Sequence, residues 1–254
     1  MILKGKLFII TLLMMGCIGC AKHSSQETDD PITDIYNLVI LDCSGSMQPL
    51  REAAIQGYNE TLDAIRTAQE QYGIEQQHLV SLTLFNMDVT KVFDCDTVQN
   101  MPNLLTENYM PEGVTALWDA VGISLTELQQ RLDSLNNATA VVTIISDGLE
   151  NASHRYSLYQ VVSQIDRLKE QGVMFVFMGT NQNVAQTASQ LHIDTYRIFE
   201  YTADGMKEAW ESGIKASAEY YERMAQYNKD TRGMSKEERN AYFRDRNKEN
   251  EWFK

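Results

Sequence analysis

Three stretches of this sequence are apolar almost throughout, and each ends in small or polar residues. Leu38-Val39-Ile40-Leu41 runs into Asp42-Cys43-Ser44-Gly45-Ser46, Val141 to Ile145 into Ser146-Asp147-Gly148, and Val173 to Met178 into Gly179. A strand with one wet face alternates apolar and polar residues, so a run without alternation belongs to a sheet covered on both faces, which is the situation of parallel strands. The segments between the runs repeat at helical spacing. Leu50, Ala54, Tyr58, Leu62 and Ile65 form one stripe that ends near Gly73; Leu117, Val121, Leu125, Leu128, Leu132 and Leu135 form a second; Leu158, Val161, Ile165 and Leu168 form a third, stopped by Gly172.

The first strand is expected over Thr33 to Asp42 and a second over His78 to Asn86. A third, Val89 to Val98, follows so closely that Asn86-Met87-Asp88 can only turn a hairpin, which makes it an antiparallel edge. Gln99 to Gly113, with Pro102 and Pro111, has no period and reads as a loop leading to Thr115. Later come a strand over Ala138 to Asp147, a short helix over Val184 to Leu191, a strand over Thr195 to Tyr201, and a last helix started by Thr202-Ala203-Asp204-Gly205. Met206, Trp210, Ile214, Tyr221 and Met224 fall on one stripe of that helix, which is expected to dock on the sheet. The fold class is α/β: a doubly wound, mostly parallel sheet with one antiparallel edge strand and helices on both faces. With 254 residues and 43% hydrophobic content the chain can fill one large domain, set here at residues 33–227. Residues 228–254 form a charged helical tail in which Ser235 to Glu238 fits a capping box. Its aromatic residues Tyr242, Phe243, Trp252 and Phe253 leave two readings, a solvated terminal helix and a partner-binding tail.

Open α/β sheets bind ligands at the carboxyl ends of their strands. There the chain places Asp42, Ser44 and Ser46, hard oxygen donors at alternate positions that can face one point and that suit Mg²⁺, Mn²⁺ or Ca²⁺. Three oxygens do not fill an octahedron. Thr115, opening a helical pattern, and Asp147, closing a strand, are the candidates to complete it.

The set Asp42-x-Ser44-x-Ser46, Thr115 and Asp147 resembles the metal-ion-dependent adhesion site of von Willebrand factor A domains. Ser146-Asp147-Gly148-Leu149-Glu150-Asn151 is similar to the TDGxEN segment of a bacterial branch of that family, Gly113-Val114-Thr115-Ala116-Leu117-Trp118-Asp119-Ala120 to its GGTALYDA segment, and Gly179-Thr180-Asn181-Gln182-Asn183 to its GxNQD segment. Val114 replaces a second glycine and Ser146 a threonine; neither change removes a ligand. The resemblance implies a Mg²⁺ site, with Mn²⁺ or Ca²⁺ as alternatives. Ser44 and Ser46 bind the ion directly, Asp42, Asp147 and Thr115 directly or through water, and one position stays open for an Asp or Glu of a partner protein.

The implied activity is docking rather than catalysis, because no Gly-x-Ser-x-Gly elbow, HExxH helix or Gly-rich Lys-Ser/Thr loop is present. The alternatives are a phosphatase-like metal-dependent hydrolase and an accessory partner of an ATPase complex. An aspartyl-nucleophile phosphatase would carry a second aspartate where Ser44 stands. A net charge of −13 without a long basic run argues against nucleic acid. The four histidines, His23, His78, His154 and His192, have no zinc-ligand spacing.

Met1 to Lys6 is basic, Leu7 to Met15 is apolar but too short to span a bilayer, and small residues precede Cys17 and Cys20. This is similar to a bacterial lipoprotein signal peptide, with residues 1–20 as the signal and either Cys17 or Cys20 as the lipidated residue. Residues 21–32 are polar and unpatterned and read as a flexible tether. The expected location is the cell envelope, anchored through lipid on the extracytoplasmic side. Cys43 and Cys95 remain, and the sequence leaves open whether they bond.

Overall fold

The computed structural model describes residues 32–147, 150–180, 183–235, 237–239 and 241–243. Cys17, Cys20, the tether up to residue 31, and Trp252 and Phe253 lie outside them. Six strands form one sheet in the order β3-β2-β1-β4-β5-β6: β1 Thr33–Asp42, β2 Gln76–Phe85, β3 Val89–Thr97, β4 Ala138–Ser146, β5 Met174–Thr180 and β6 Tyr196–Phe199. All neighbouring pairs are parallel except β2 with β3, the hairpin at one edge.

The chain starts in the middle of this sheet. From β1 it moves outward through β2 and β3, returns, and continues outward on the other side through β4, β5 and β6, so the winding reverses between β1 and β4. Helices α1 (Arg51–Tyr72) and α5 (Ala203–Asp230) cover one face, where Ile35, Val39 and Leu41 of β1 meet Leu62, Ile65, Met206 and Trp210. Helices α2 (Leu117–Asp133), α3 (Leu158–Glu170) and α4 (Asn183–Gln190) cover the other, where Tyr36, Leu38 and Ile40 meet Val121, Leu125, Ile165 and Leu191. Successive residues of β1 therefore serve two cores, and the unbroken apolar run is the direct result. The last helix does dock, on the β5 side and against α1. A Cβ on Gly57 of α1 would lie 2.2 Å from the Trp210 ring, so the bare backbone is what admits the indole.

Beneath α5 sits a buried polar network. Tyr221 donates to Asn37 Oδ1 (2.5 Å), Asn37 Nδ2 lies 3.4 Å from His78 Nδ1, and His78 Nε2 lies 3.1 Å from Gln76 Oε1. Gln76 Nε2 donates to the Tyr221 carbonyl at 2.7 Å, which ties the network back to the helix. Gln76 and His78 are fully buried, and β2 accordingly begins two residues before the expected His78.

Helix α5 runs three residues beyond the expected boundary at 227. After it, Ser235 N donates to Glu238 Oε2 (2.8 Å) and Glu238 N to Ser235 Oγ (3.3 Å), the expected capping box. In the described part of the tail, Tyr242 and Phe243 pack against the domain. The Phe243 ring stands edge-on to Tyr227, with centroids 5.9 Å apart, and covers Gly172, where φ is +88 and a Cβ would lie 2.4 Å from the ring. Cys43 and Cys95 are both free, one packed in each core. Among the described residues, no helix is long and apolar enough to cross a membrane.

Candidate metal centre

The reversal between β1 and β4 leaves a crevice at their carboxyl ends, and the sequence puts oxygen atoms there. Asp42 is the last residue of β1 and is fully buried. Its carboxylate accepts from Ser44 N at 2.7 Å and from Ser146 Oγ, on the neighbouring strand, at 2.6 Å. Ser44 Oγ lies 3.1 Å from Ser46 Oγ, and Ser46 Oγ donates to Asp147 Oδ1 at 2.8 Å. Four of the five expected residues thus stand in one hydrogen-bonded chain that crosses from the β1 loop to the β4 loop.

Thr115 is held beside them by backbone contacts. Gly45 N donates to Gly113 O (3.1 Å) and Glu112 N to Cys43 O (2.8 Å), which fastens the segment before α2 to the Asp42–Ser46 loop. Asn86 Nδ2 donates to Glu112 O (3.1 Å), and the Asn86 carbonyl accepts from Ala116 N (2.8 Å). On the other side, Thr115 N donates to Asn151 Oδ1 (2.9 Å) and Asn151 N to Thr115 O (3.0 Å). Thr115 is buried.

Sequence reasoning assigned no role to several residues that build this site. Ser146 clamps Asp42. The Tyr109 hydroxyl donates to the Asp42 carbonyl at 2.6 Å from the loop before α2. Glu150 binds three backbone N–H groups, those of Trp118, Ala152 and Ser153, and so pins the loop after Asp147 to the start of α2. Asp119 does the same for His154, Arg155 and Tyr156. Tyr201, two residues past β6, donates to the Ser46 carbonyl and also faces the Asp147 carboxylate. The segments similar to GGTALYDA and TDGxEN contain Asp119, Glu150 and Asn151; Tyr109 and Tyr201 had no sequence signal.

Burial lifts the Asp42 carboxyl to about 6, although the Ser146 and Ser44 hydrogen bonds pull it down, and burial raises Asp147 as well. No lysine or arginine pairs with Asp42 among the described residues, so its ionised form lacks a compensating cation from the protein. A buried carboxylate, a second one nearby, and hydroxyls as the remaining donors fit a hard divalent cation.

The sequence model of the von Willebrand factor type A domain matches residues 37–209. No curated protein matches the chain by sequence. Its fold is similar to a von Willebrand factor type A protein from Catenulispora acidiphila (14% identity, TM-score 0.54, covering 73% of this chain and 43% of that one). It is also similar to proximal thread matrix protein 1 from the mussel byssus with a zinc-occupied MIDAS motif (15%, 0.54, 74% and 48%) and to the pilus adhesin SpaC from Lactobacillus rhamnosus GG (12%, 0.54, 75% and 30%). The chain spans less than half the length of each of these structures. The match covers most of the described sheet and all five site residues, and the chain belongs to the von Willebrand factor type A domain family.

Proposed function

We propose that this chain is a metal-dependent docking domain, in which Asp42, Ser44, Ser46, Thr115 and Asp147 hold a divalent cation, Mg²⁺ foremost, with Mn²⁺ and Ca²⁺ as alternatives. The observation that carries the reading is the hydrogen-bonded chain from Asp42 through Ser44 and Ser46 to Asp147, which gathers oxygens from two strand ends at the reversal of the sheet. The adhesin among its structural relatives is in keeping with it.

A bound cation supplies residual positive charge at the surface, to which an Asp or Glu side chain of a partner protein adds. The chain's own residues do the rest. Ser146 and the Ser44 amide fix both oxygens of Asp42, and Tyr109 holds the strand end from below. Glu150 and Asn151 keep Thr115 and Asp147 in register across two loops. Ser46 and Gly45 are exposed, so the centre opens to the outside.

The chain is anchored to a bacterial envelope through Cys17 or Cys20. In support, β1 enters the domain at the pole opposite Asp42, so a tether before Thr33 leaves the docking face pointing outward. The test is isothermal titration of the chain from Ala21 with Mg²⁺, Mn²⁺ and Ca²⁺, beside a double variant Asp42→Ala, Ser44→Ala. Saturable binding that disappears in the variant is expected. Equal heats from both proteins would refute the assignment.

A further inference from the structure

The loops that frame the candidate centre expose apolar side chains. Met87, at the β2–β3 turn, is 64% exposed; Met110 and Val114, before α2, are 65% and 44% exposed. Their loops are bound to each other and to the Asp42–Ser46 loop, through Asn86 Nδ2 to Glu112 O, Ala116 N to Asn86 O and Gly45 N to Gly113 O. They therefore border the centre on its β2 side. Tyr201 borders it on the β6 side, its hydroxyl on Ser46 and its ring 43% exposed. Burying such side chains against water has no intramolecular outlet here, and exposed apolar groups gathered round a polar centre are the anatomy of an interaction site.

Charge narrows the occupant. Asp88 and Glu112, on the same loops, are exposed, and the chain as a whole carries −13. The nearby cation Arg51 is committed to backbone, donating from Nε to Tyr109 O (2.8 Å) and from its guanidinium to Thr106 O. A run of acids would meet repulsion at this rim, whereas one carboxylate among apolar and basic neighbours would not.

The geometry points to a partner that presents a single Asp or Glu flanked on both sides by apolar residues, the carboxylate entering the centre and its neighbours packing on Met87, Met110 and Val114 on one side and Tyr201 on the other. This rests on the metal-docking reading. It deepens it by naming the chemistry around the carboxylate, which sets specificity where the carboxylate alone cannot.

The test uses three synthetic twelve-residue peptides with the full-length chain, in Mg²⁺ and again in EDTA: one glutamate flanked by leucine and phenylalanine, one glutamate flanked by glycine and serine, and a run of four glutamates. In Mg²⁺ the apolar-flanked peptide is expected to bind at least about tenfold tighter than the other two, as burial of one or two apolar side chains provides. In Met87→Ser, Met110→Ser that advantage falls to about threefold or less, while Mg²⁺ titration of the variant is unchanged. Mg²⁺-dependent binding without preference among the peptides, or preference for the glutamate run, overturns the inference and leaves the docking reading standing. Preference that persists in EDTA, or failure of all three to bind, overturns the inference, while the docking reading stands or falls with the Mg²⁺ titration.

Discussion

Ser146 on β4 donates a 2.6 Å hydrogen bond to the carboxylate of Asp42 on β1, so two neighbouring strand ends are joined by side chains where their backbone ladder stops. Residues that orient a metal ligand commonly matter nearly as much as the ligand. Ser146→Ala is expected to weaken Mg²⁺ binding by about tenfold, at the lower end of the usual effect of such partners, and Ser146→Thr to restore it. Calorimetric titration of the three proteins side by side reads the difference. Equal affinity in all of them would show that Asp42 needs no clamp.

Asp42 costs the metal-free fold stability. Its carboxyl titrates at about 6 in the folded chain, against about 3.9 in an unfolded one, so the folded state holds more protons between these values. This contribution is complete below pH 4 and is lost as pH rises through 6. Asp42→Asn in EDTA is expected to be more stable than the parent by ~2 kcal/mol at pH 7 and to lack its decline between pH 4 and 6. With Mg²⁺ present the order reverses, since only the parent gains binding energy. Urea unfolding at several pH values, with and without Mg²⁺, measures both signs.

His78 acts in the opposite direction. Burial lowers its folded value to about 4, below the 6.5 of the free side chain, so protonation favours the unfolded chain. Its contribution is intact above pH 6.5 and is lost as pH falls towards 4, the very range in which Asp42 adds stability. The two trends partly cancel in the parent protein. His78→Gln is expected to be less stable at pH 7, where the contacts to Asn37 and Gln76 are disturbed, but to lose ~2 kcal/mol less on acidification. A parallel slope in both proteins would place the titration elsewhere.

Phe243 closes the pole away from the site by covering Gly172 and meeting Tyr227. The ring is half-buried, so Phe243→Ala should cost ~1 to 2 kcal/mol, less than for a core phenylalanine. Mg²⁺ affinity should not change. A melting temperature equal to that of the parent would mean that the tail does not pack in solution.

Legibility from sequence followed the chemistry that each segment had to express. β1 was legible because Ile35, Tyr36 and each residue from Leu38 to Leu41 serve one of two cores, and the α1, α2 and α3 stripes because each helix turns an apolar stripe to a core. The start of β2 was hidden, since Gln76 and His78 are polar and yet buried by partners from other elements. The second stripe overran: Leu135 keeps the spacing, but α2 stops at Asp133, and Leu135 packs from the following turn. The end of α5 was hidden too, because Asn228, Lys229 and Asp230 carry no apolar period while still helical. At the candidate centre, the five residues could be picked out by residue type and position, Asp42 with Ser44 and Ser46 at one strand end, Asp147 at another and Thr115 at a helix start. Tyr109 and Tyr201 could not, because each reaches a backbone carbonyl across the fold, and a tyrosine that does so reads like any other.

The position of β1 has a mechanical consequence. Its first residue is where the preceding chain enters, and its last residue, Asp42, belongs to the face proposed for docking. A pull between the two would run along the axis of one strand, and that strand is flanked on both sides by parallel ladders, to β2 from Thr33 to Asp42 and to β4 from Asp34 to Leu41. Such a load shears both ladders at once instead of peeling them bond by bond, so the strand that organises the sheet is also its strongest cable.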